Sequence, residues 1–279
     1  MPELPEVETI VRQIRPHILN RHISNIDILR PDQWVSPEAA RIYIVGSKIE
    51  NVFRKGKFII IQLTSNSSLA IHLRMTGKLC WKKGPLKSYK YDRTIFFLND
   101  ESRIHFNDTR ALGTLEIVAH DEFEQRFKKY GPDPFSEEFT QELLKHIISK
   151  SAMQIKDFLM DQTKIAGIGN IYANEILFHS NINPMRRADN LSDFEIIRLY
   201  RNISKILSTA ILNMGTTLGN KISDYRNVYE MNGNYQAFLH VYGRKNEACR
   251  ICQHKIIRIV QKGRSSFYCP SCQPFKSTD

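Results

Sequence analysis

The sequence predicts an α+β protein: a β-rich first half, a helical second half, and a closing hairpin that carries cysteines. Three observations predict it. Short alternating apolar runs crowd residues 22 to 118. Helical periodicity takes over beyond residue 134, and four of the five cysteines fall in the last 31 residues as two close pairs.

The first helix is legible from its opening residues. Pro5 suits a first helical turn, Glu6 and Glu8 suit the positive end of the dipole, and Val7, Ile10, Val11 and Ile14 form an apolar stripe. Strand-like runs follow at 57–63, 69–73, 93–98 and 113–118, separated by Gly, Asn, Asp and Ser. Several such strands in so short a stretch suggest a sandwich or a barrel. Tyr130-Gly131-Pro132-Asp133-Pro134 can continue neither strand nor helix and reads as a linker. Ser192 and Glu195 form a capping-box pattern before a long helix ending near Met214. Residues 215–237, rich in Gly, Asn, Thr and Tyr, read as a loop. The expected division is 1–134, 135–238 and 239–279.

Composition narrows the function. Hydrophobic residues make up 42% and aromatics 10% of the 279 residues, as in globular proteins. No apolar run approaches the roughly 18 residues of a membrane span. Met1-Pro2-Glu3-Leu4-Pro5-Glu6 is acidic where a signal or transit peptide would be basic, so a cytoplasmic protein is expected. Lys and Arg outnumber Asp and Glu by 40 to 29, a net charge of +11 that favours a polyanionic partner.

Cys249-Arg250-Ile251-Cys252 and Cys269-Pro270-Ser271-Cys272 are two CxxC knuckles separated by 16 residues. Such spacing offers four thiolates to one Zn²⁺, and with every ligand a cysteine the ion is structural. His254 is expected to be a solvated turn residue. Between the knuckles, 256–260 and 265–268 read as strands turning at Gly263-Arg264, where Arg264 could fork two phosphate oxygens. Cys80 stands alone.

Asp161 to Glu175 joins two helical stretches through the Gly-rich turn Gly167-Ile168-Gly169. Backbone N–H groups at the start of the second helix, with the Asn170 side chain beside them, form a candidate phosphate cradle, although Asn170 alone is as easily an N-cap; Lys164 and Tyr172 of the same segment are further DNA-binding candidates.

Together the Pro-Glu-Leu-Pro-Glu start, the Gly-Ile-Gly-Asn-Ile-Tyr-Ala-Asn-Glu turn and the four-cysteine finger resemble the bacterial formamidopyrimidine-DNA glycosylase family nearly end to end. The resemblance implies an N-terminal β-sandwich flanked by helices, then a helix–two-turn–helix domain and a zinc-finger hairpin, with DNA in the basic cleft between. It implies a bifunctional glycosylase and lyase that removes oxidised purines and cleaves the strand by β,δ-elimination. Pro2, freed by loss of Met1, would be the nucleophile; Glu3 the general acid/base; Glu6 a supporting carboxylate, although the helix dipole explains it equally well. Lys57 would contact phosphates or the lesion sugar.

By the same resemblance, His72 and Arg74 would contact phosphates, and Met75 would fill the gap left by a flipped nucleotide. In the companion segment 108–113, Arg110 would pair with the orphaned base and Leu112 would wedge beside it. Phenylalanine usually occupies the place of Leu112, so stacking there is weaker. Ser223 and Tyr225 are candidates in the lesion-capping loop, whose residues match the family poorly.

Two other readings are open. An endonuclease VIII-like enzyme for oxidised pyrimidines usually has glycine at the place of Leu4 and builds its wedge elsewhere. A non-catalytic DNA-binding module would be expected to have lost Pro2, Glu3 or Lys57. A monomer is expected.

Overall fold

The computed structural model describes residues 1–85, 87, 89–219, 221–222 and 224–275. They form two units. The first comprises Met1–Lys129 and Ile211–Gln236; the second comprises Tyr130–Ala210 and the chain from Ala237 onward. No helix among the described residues is long and apolar enough to cross a membrane.

The first unit opens with α1 (Leu4–Ile18). Leu4, Val7, Ile10, Val11, Ile14 and Ile18 are buried, which is the expected 3.6-residue stripe continued by one more turn. Pro16 sits in the last turn, where α1 ends. There follow β1 (Ile23–Ile28), α2 (Pro37–Ile44), β2 (Ile49–Lys55), β3 (Phe58–Leu63), β4 (Ser67–His72), β5 (Gly77–Lys83), β6 (Asp92–Leu98), β7 (Ser102–Asp108), β8 (Thr114–Ala119) and α3 (Phe123–Phe127).

The strands form two four-stranded antiparallel sheets, in the orders β1-β6-β7-β5 and β2-β3-β4-β8. This is the sandwich rather than the barrel. Ile59, Ile61, Leu63, Leu69 and Ile71 of one sheet and Leu79, Phe96, Leu98, Ile104 and Phe106 of the other belong to a single core with the α1 stripe. Burying each such side chain contributes about 1.5–3 kcal/mol. Strand β3 is buried on both faces. Its Phe58 meets Phe127 of α3 edge-on at 5.3 Å between ring centroids.

The pairing registers decide where the loops gather. Lys55 pairs with Phe58, Phe58 with His72, and His72 with Thr114 in one sheet. In the other sheet Gly77 pairs with Asp108. The chain therefore changes sheets twice at one end of the sandwich, through 73–76 and through 109–113. The 56–57 hairpin turn lies at that same end.

The second unit contains α4 (Gln141–Ser149), α5 (Ile155–Met160), α6 (Asn170–His179) and most of α7 (Asp193–Leu212). Thr140 caps α4 by accepting the Leu143 N–H at 3.1 Å. Ser192 and Glu195 do form the capping box of α7. Eight consecutive residues of α6, Ile171 to Phe178, are buried, so α6 is a central helix with no outward polar face. The unit ends in β9 (Ile257–Gln261) paired antiparallel with β10 (Arg264–Tyr268).

Candidate functional site

The N-terminus is built as a cap. Pro2 is buried, Glu3 and Glu6 are 2% and 1% exposed, and Met1 is exposed. Glu3 is the N-cap of α1 in a reciprocal capping box: its side chain accepts the Glu6 N–H, and Glu6 accepts the Glu3 N–H at 2.8 Å. The other Glu6 oxygen accepts the Thr216 N–H at 2.8 Å. This contact requires Gly215, where a Cβ would stand 2.7 Å from the carboxylate and φ is +77°.

Residues 211–236 thus pack on the first unit. Lys78 Nζ donates to the Ile222 carbonyl, and Lys82 pairs with Glu230, both from β5. His17 stacks on Trp81 at 4.1 Å and meets the Tyr229 hydroxyl at 2.8 Å. Thr217 Oγ1 donates to the Tyr225 carbonyl and accepts the Gly233 N–H, both at 2.9 Å. The Tyr225 ring lies in the core beside Val228, so it anchors the loop from below; burial, and then the charge of Glu6, push its hydroxyl pKa well up. Ser223 lies outside the described residues. Lys78, Lys82, His17 and Trp81 gave no sequence signal of this role, because each belongs to a regular strand or helix pattern.

The crossover end of the sandwich is organised by Asp108. Fully buried, its carboxylate accepts from Thr76 Oγ1, from Gln33 Nε2 at 3.1 Å, and from the N–H groups of Arg110, Leu112 and Gly113 at 3.2, 2.8 and 2.7 Å. One side chain therefore holds both crossover segments. What it leaves outside is informative: Arg74 and Arg110 are exposed, and Met75 and Leu112 are 44% and 43% exposed. Exposed apolar tips flanked by arginines are what an insertion into a base stack needs. His72 accepts the Arg74 N–H on Nδ1 at 3.0 Å and meets Phe58 edge-on. Burial, then the charges of Arg74 and Lys57, push its imidazole down to about 3, so it is neutral. Lys57 is buried.

In the second unit the turn between α5 and α6 is wired by Gln162. Its Nε2 donates to the Met160 and Ile168 carbonyls at 2.8 Å, and its Oε1 accepts the Gly167 N–H at 2.9 Å. Gly169 is the N-cap of α6, so Asn170 is the first helical residue and not its cap. Lys164 and Asn170 are part-exposed. The expectation for Tyr172 needs correcting. It is fully buried, two residues and about 200° round the helix from Asn170, which makes its ring part of the core and not of a binding face. Arg264 is exposed, and the residues before it, Lys262 and Gly263, take positive φ as the β9–β10 turn. The hairpin is fastened by Lys156 Nζ, which donates to the Ser265 carbonyl and Ser266 hydroxyl at 2.9 and 2.7 Å, and by Asn174, which accepts the Phe267 N–H.

The four cysteines of the finger fit one zinc ion. Their sulfurs all lie within 4.8 Å of one another, with Cys249–Cys272, Cys252–Cys269 and Cys252–Cys272 at 3.9, 3.3 and 3.4 Å. The edge of a Zn²⁺ tetrathiolate is about 3.8 Å. The Ile251 and Cys272 N–H groups point at Cys249 and Cys269 sulfur, as amides do toward thiolates. His254 is exposed and stays outside the set. Four protein sulfurs leave no open position, so the ion is structural.

Comparison with known proteins accounts for this assembly. Residues 1–115 match the formamidopyrimidine-DNA glycosylase N-terminal domain, 130–221 the formamidopyrimidine-DNA glycosylase H2TH domain, and 246–274 the zinc finger found in FPG and IleRS. The class is therefore that of the zinc-bearing DNA glycosylases of base-excision repair. Curated relatives narrow it. The formamidopyrimidine-DNA glycosylase of Pelotomaculum thermopropionicum is 40% identical, over 99% of this chain and all of the relative. That of Carboxydothermus hydrogenoformans is 41% identical, over 98% and 100%. The chain belongs to the formamidopyrimidine-DNA glycosylase family. Among solved structures, a Lactococcus lactis Fpg mutant in complex with Fapy-dG DNA superposes with a TM-score of 0.91 at 32% identity, covering 98% of this chain and 100% of that one. MutM of Thermus thermophilus gives 0.88 at 32%, covering 99% and 100%.

Proposed function

We propose that the chain excises oxidised purines, 8-oxoguanine and formamidopyrimidines, from duplex DNA and then cleaves the strand at the abasic site. The observation that carries this reading is the N-terminal turn: Pro2 and Glu3 are buried at the start of α1, and Glu6 fixes them to the 215–216 backbone. Loss of Met1 frees a secondary amine. An α-amino group titrates near about 8, so it is partly unprotonated at neutral pH, where a lysine near about 10.4 is not.

The amine lone pair attacks the sugar C1′. The glycosidic C–N bond breaks and its electrons leave with the base, which is protonated. Glu3 donates a proton to the ring oxygen as the ring opens and the iminium forms. The fixed cation acidifies the neighbouring C2′ proton. Its removal expels the 3′ phosphate, and a second elimination expels the 5′ phosphate.

Lys57 attends the phosphates or sugar at the crossover end, with His72 and Arg74. Met75 and Leu112 fill the gap of the extruded nucleotide, and Arg110 meets the orphaned base; flipping costs a few kcal/mol, which these groups offset. Lys164, Asn170 and Arg264 hold phosphates. The zinc ion supplies only cross-linking of the finger. The 211–236 loop covers the flipped base, and the protein acts as a monomer. Complexes of Lactococcus lactis Fpg with Fapy-dG DNA and with abasic-site DNA support this substrate class.

Borohydride trapping on a duplex with 8-oxoguanine opposite cytosine tests the reading. A covalent adduct mapped to Pro2 by mass spectrometry is the expected result. An adduct formed only with an oxidised pyrimidine would reassign the substrate, and none with either lesion or with an abasic site would reject the enzyme.

A further inference from the structure

Beyond the finger, the second unit gathers another set of metal-ligand side chains: Glu175 and His179 of α6, and His240 in the segment that leads into the finger. Glu175 and His179 are four residues apart and so share one helix face. Glu175 is fully buried. Its Oε1 accepts the Val241 and Tyr242 N–H groups at 3.0 and 2.8 Å, and its Oε2 accepts the His240 N–H at 2.8 Å. A carboxylate oxygen has two acceptor sites, so Oε1 is full and Oε2 keeps one.

The histidines are disposed to meet it. His240 Nδ1 lies 2.9 Å from the Phe238 carbonyl and 3.9 Å from Glu175 Oε2; donating to the carbonyl, it leaves the lone pair of the ring on Nε2. A backbone carbonyl behind an imidazole is the usual support of a metal-ligating histidine. The His240 ring stacks on Phe178, and the His179 ring stands edge-on to it with centroids 4.5 Å apart. Among the described residues nothing hydrogen-bonds to the His179 ring nitrogens. One ligand atom from each of the three residues lies within 4.8 Å of the other two, and both imidazoles are half-buried, open to entry from solvent. Zinc-bound nitrogens and oxygens lie about 3.3 Å apart, so the ring nitrogens would draw closer to the carboxylate as an ion binds.

We propose that Glu175, His179 and His240 bind a second divalent ion of the zinc class, separate from that of the four cysteines. Two imidazoles and one carboxylate are donors suited to a borderline d-block cation, with the remaining position taken by water. The ion would tie α6 to the 240–242 segment, over the same apolar cluster of Phe178 and Val241 that seats Cys249 and Cys269. The proposal stands on this geometry and is independent of the substrate reading.

Titration of the zinc-loaded protein with Co²⁺, followed by visible absorption and calorimetry, tests it. The expected result is uptake of one equivalent with weak ligand-field bands and no thiolate charge-transfer band. His179→Gln and His240→Gln, checked by circular dichroism for native helix content, are expected each to abolish that uptake. Absence of uptake by the wild type, or uptake unchanged in both folded variants, would overturn the proposal.

Discussion

The Glu6 carboxylate accepts the Thr216 backbone N–H at 2.8 Å, joining the first turn of α1 to a loop 210 residues later in the chain. The same carboxylate closes the capping box on Glu3. One side chain thus sets the position of both the N-terminal turn and the loop proposed to cover the lesion. Glu6→Ala is expected to destabilise the protein by about 2 kcal/mol, the worth of a cap plus charge-assisted hydrogen bonds. The borohydride adduct yield should fall further than the stability loss explains. Urea denaturation and trapping on one preparation would measure both.

Asp108 is expected to be the more sensitive position. Asp108→Ala leaves the N–H groups of Arg110, Leu112 and Gly113 and the Thr76 hydroxyl without their acceptor. A loss of about 3–5 kcal/mol follows from several buried donors left unpaired. A shift of the urea midpoint no larger than that of an exposed control such as Asp32→Ala would contradict this.

Arg110 is exposed beside Leu112, on a loop whose backbone Asp108 fixes. Arg110→Ala is expected to relax the preference for cytosine opposite the lesion while leaving the fold intact. Cleavage rates against the four opposing bases decide it, and an unchanged ratio would refute the assignment.

Chelation of the finger's zinc is expected to abolish DNA binding and to leave the sandwich folded, since the core of the first unit contains no residue of the finger. Fluorescence anisotropy with a labelled duplex reads the first effect. Retained near-UV signal from Trp34 and Trp81 reads the second.

His72 carries a pH dependence of known sign. Its folded-state value, pushed to about 3, lies below the ordinary 6.5. Between these values the unfolded chain binds a proton that the folded chain excludes, so stability falls as pH drops through that window and is unaffected above it. His72→Gln is expected to flatten the decline of the unfolding midpoint between neutral pH and about pH 5 relative to the wild type.

Much of this was written locally. The α1 stripe, the α7 capping box, the Pro-rich break at residue 130 and the two CxxC knuckles each depend on residues within a turn or two of one another, and spacing alone reveals them. The motifs around Pro2, Met75, Arg110 and Asn170 were equally visible as strings of residues. What no string shows is which distant segments meet. The 211–236 loop follows a helix of the second unit in sequence, yet it packs on the first unit, because Glu6, Lys78 and Gln13 there supply its partners. Tyr172 and Tyr225 look like binding residues from their neighbours in the chain. Both turn out to be core, because side-chain direction is set by helix phase and by tertiary packing. Asp108 as a hub, and Glu175 with its two histidines, exist only once strand register and the fold of the finger bring residues 32 to 75 positions apart into contact. Local chemistry determined the elements and the zinc ligands; burial and pairing across the chain decided which of the remaining polar residues share a site.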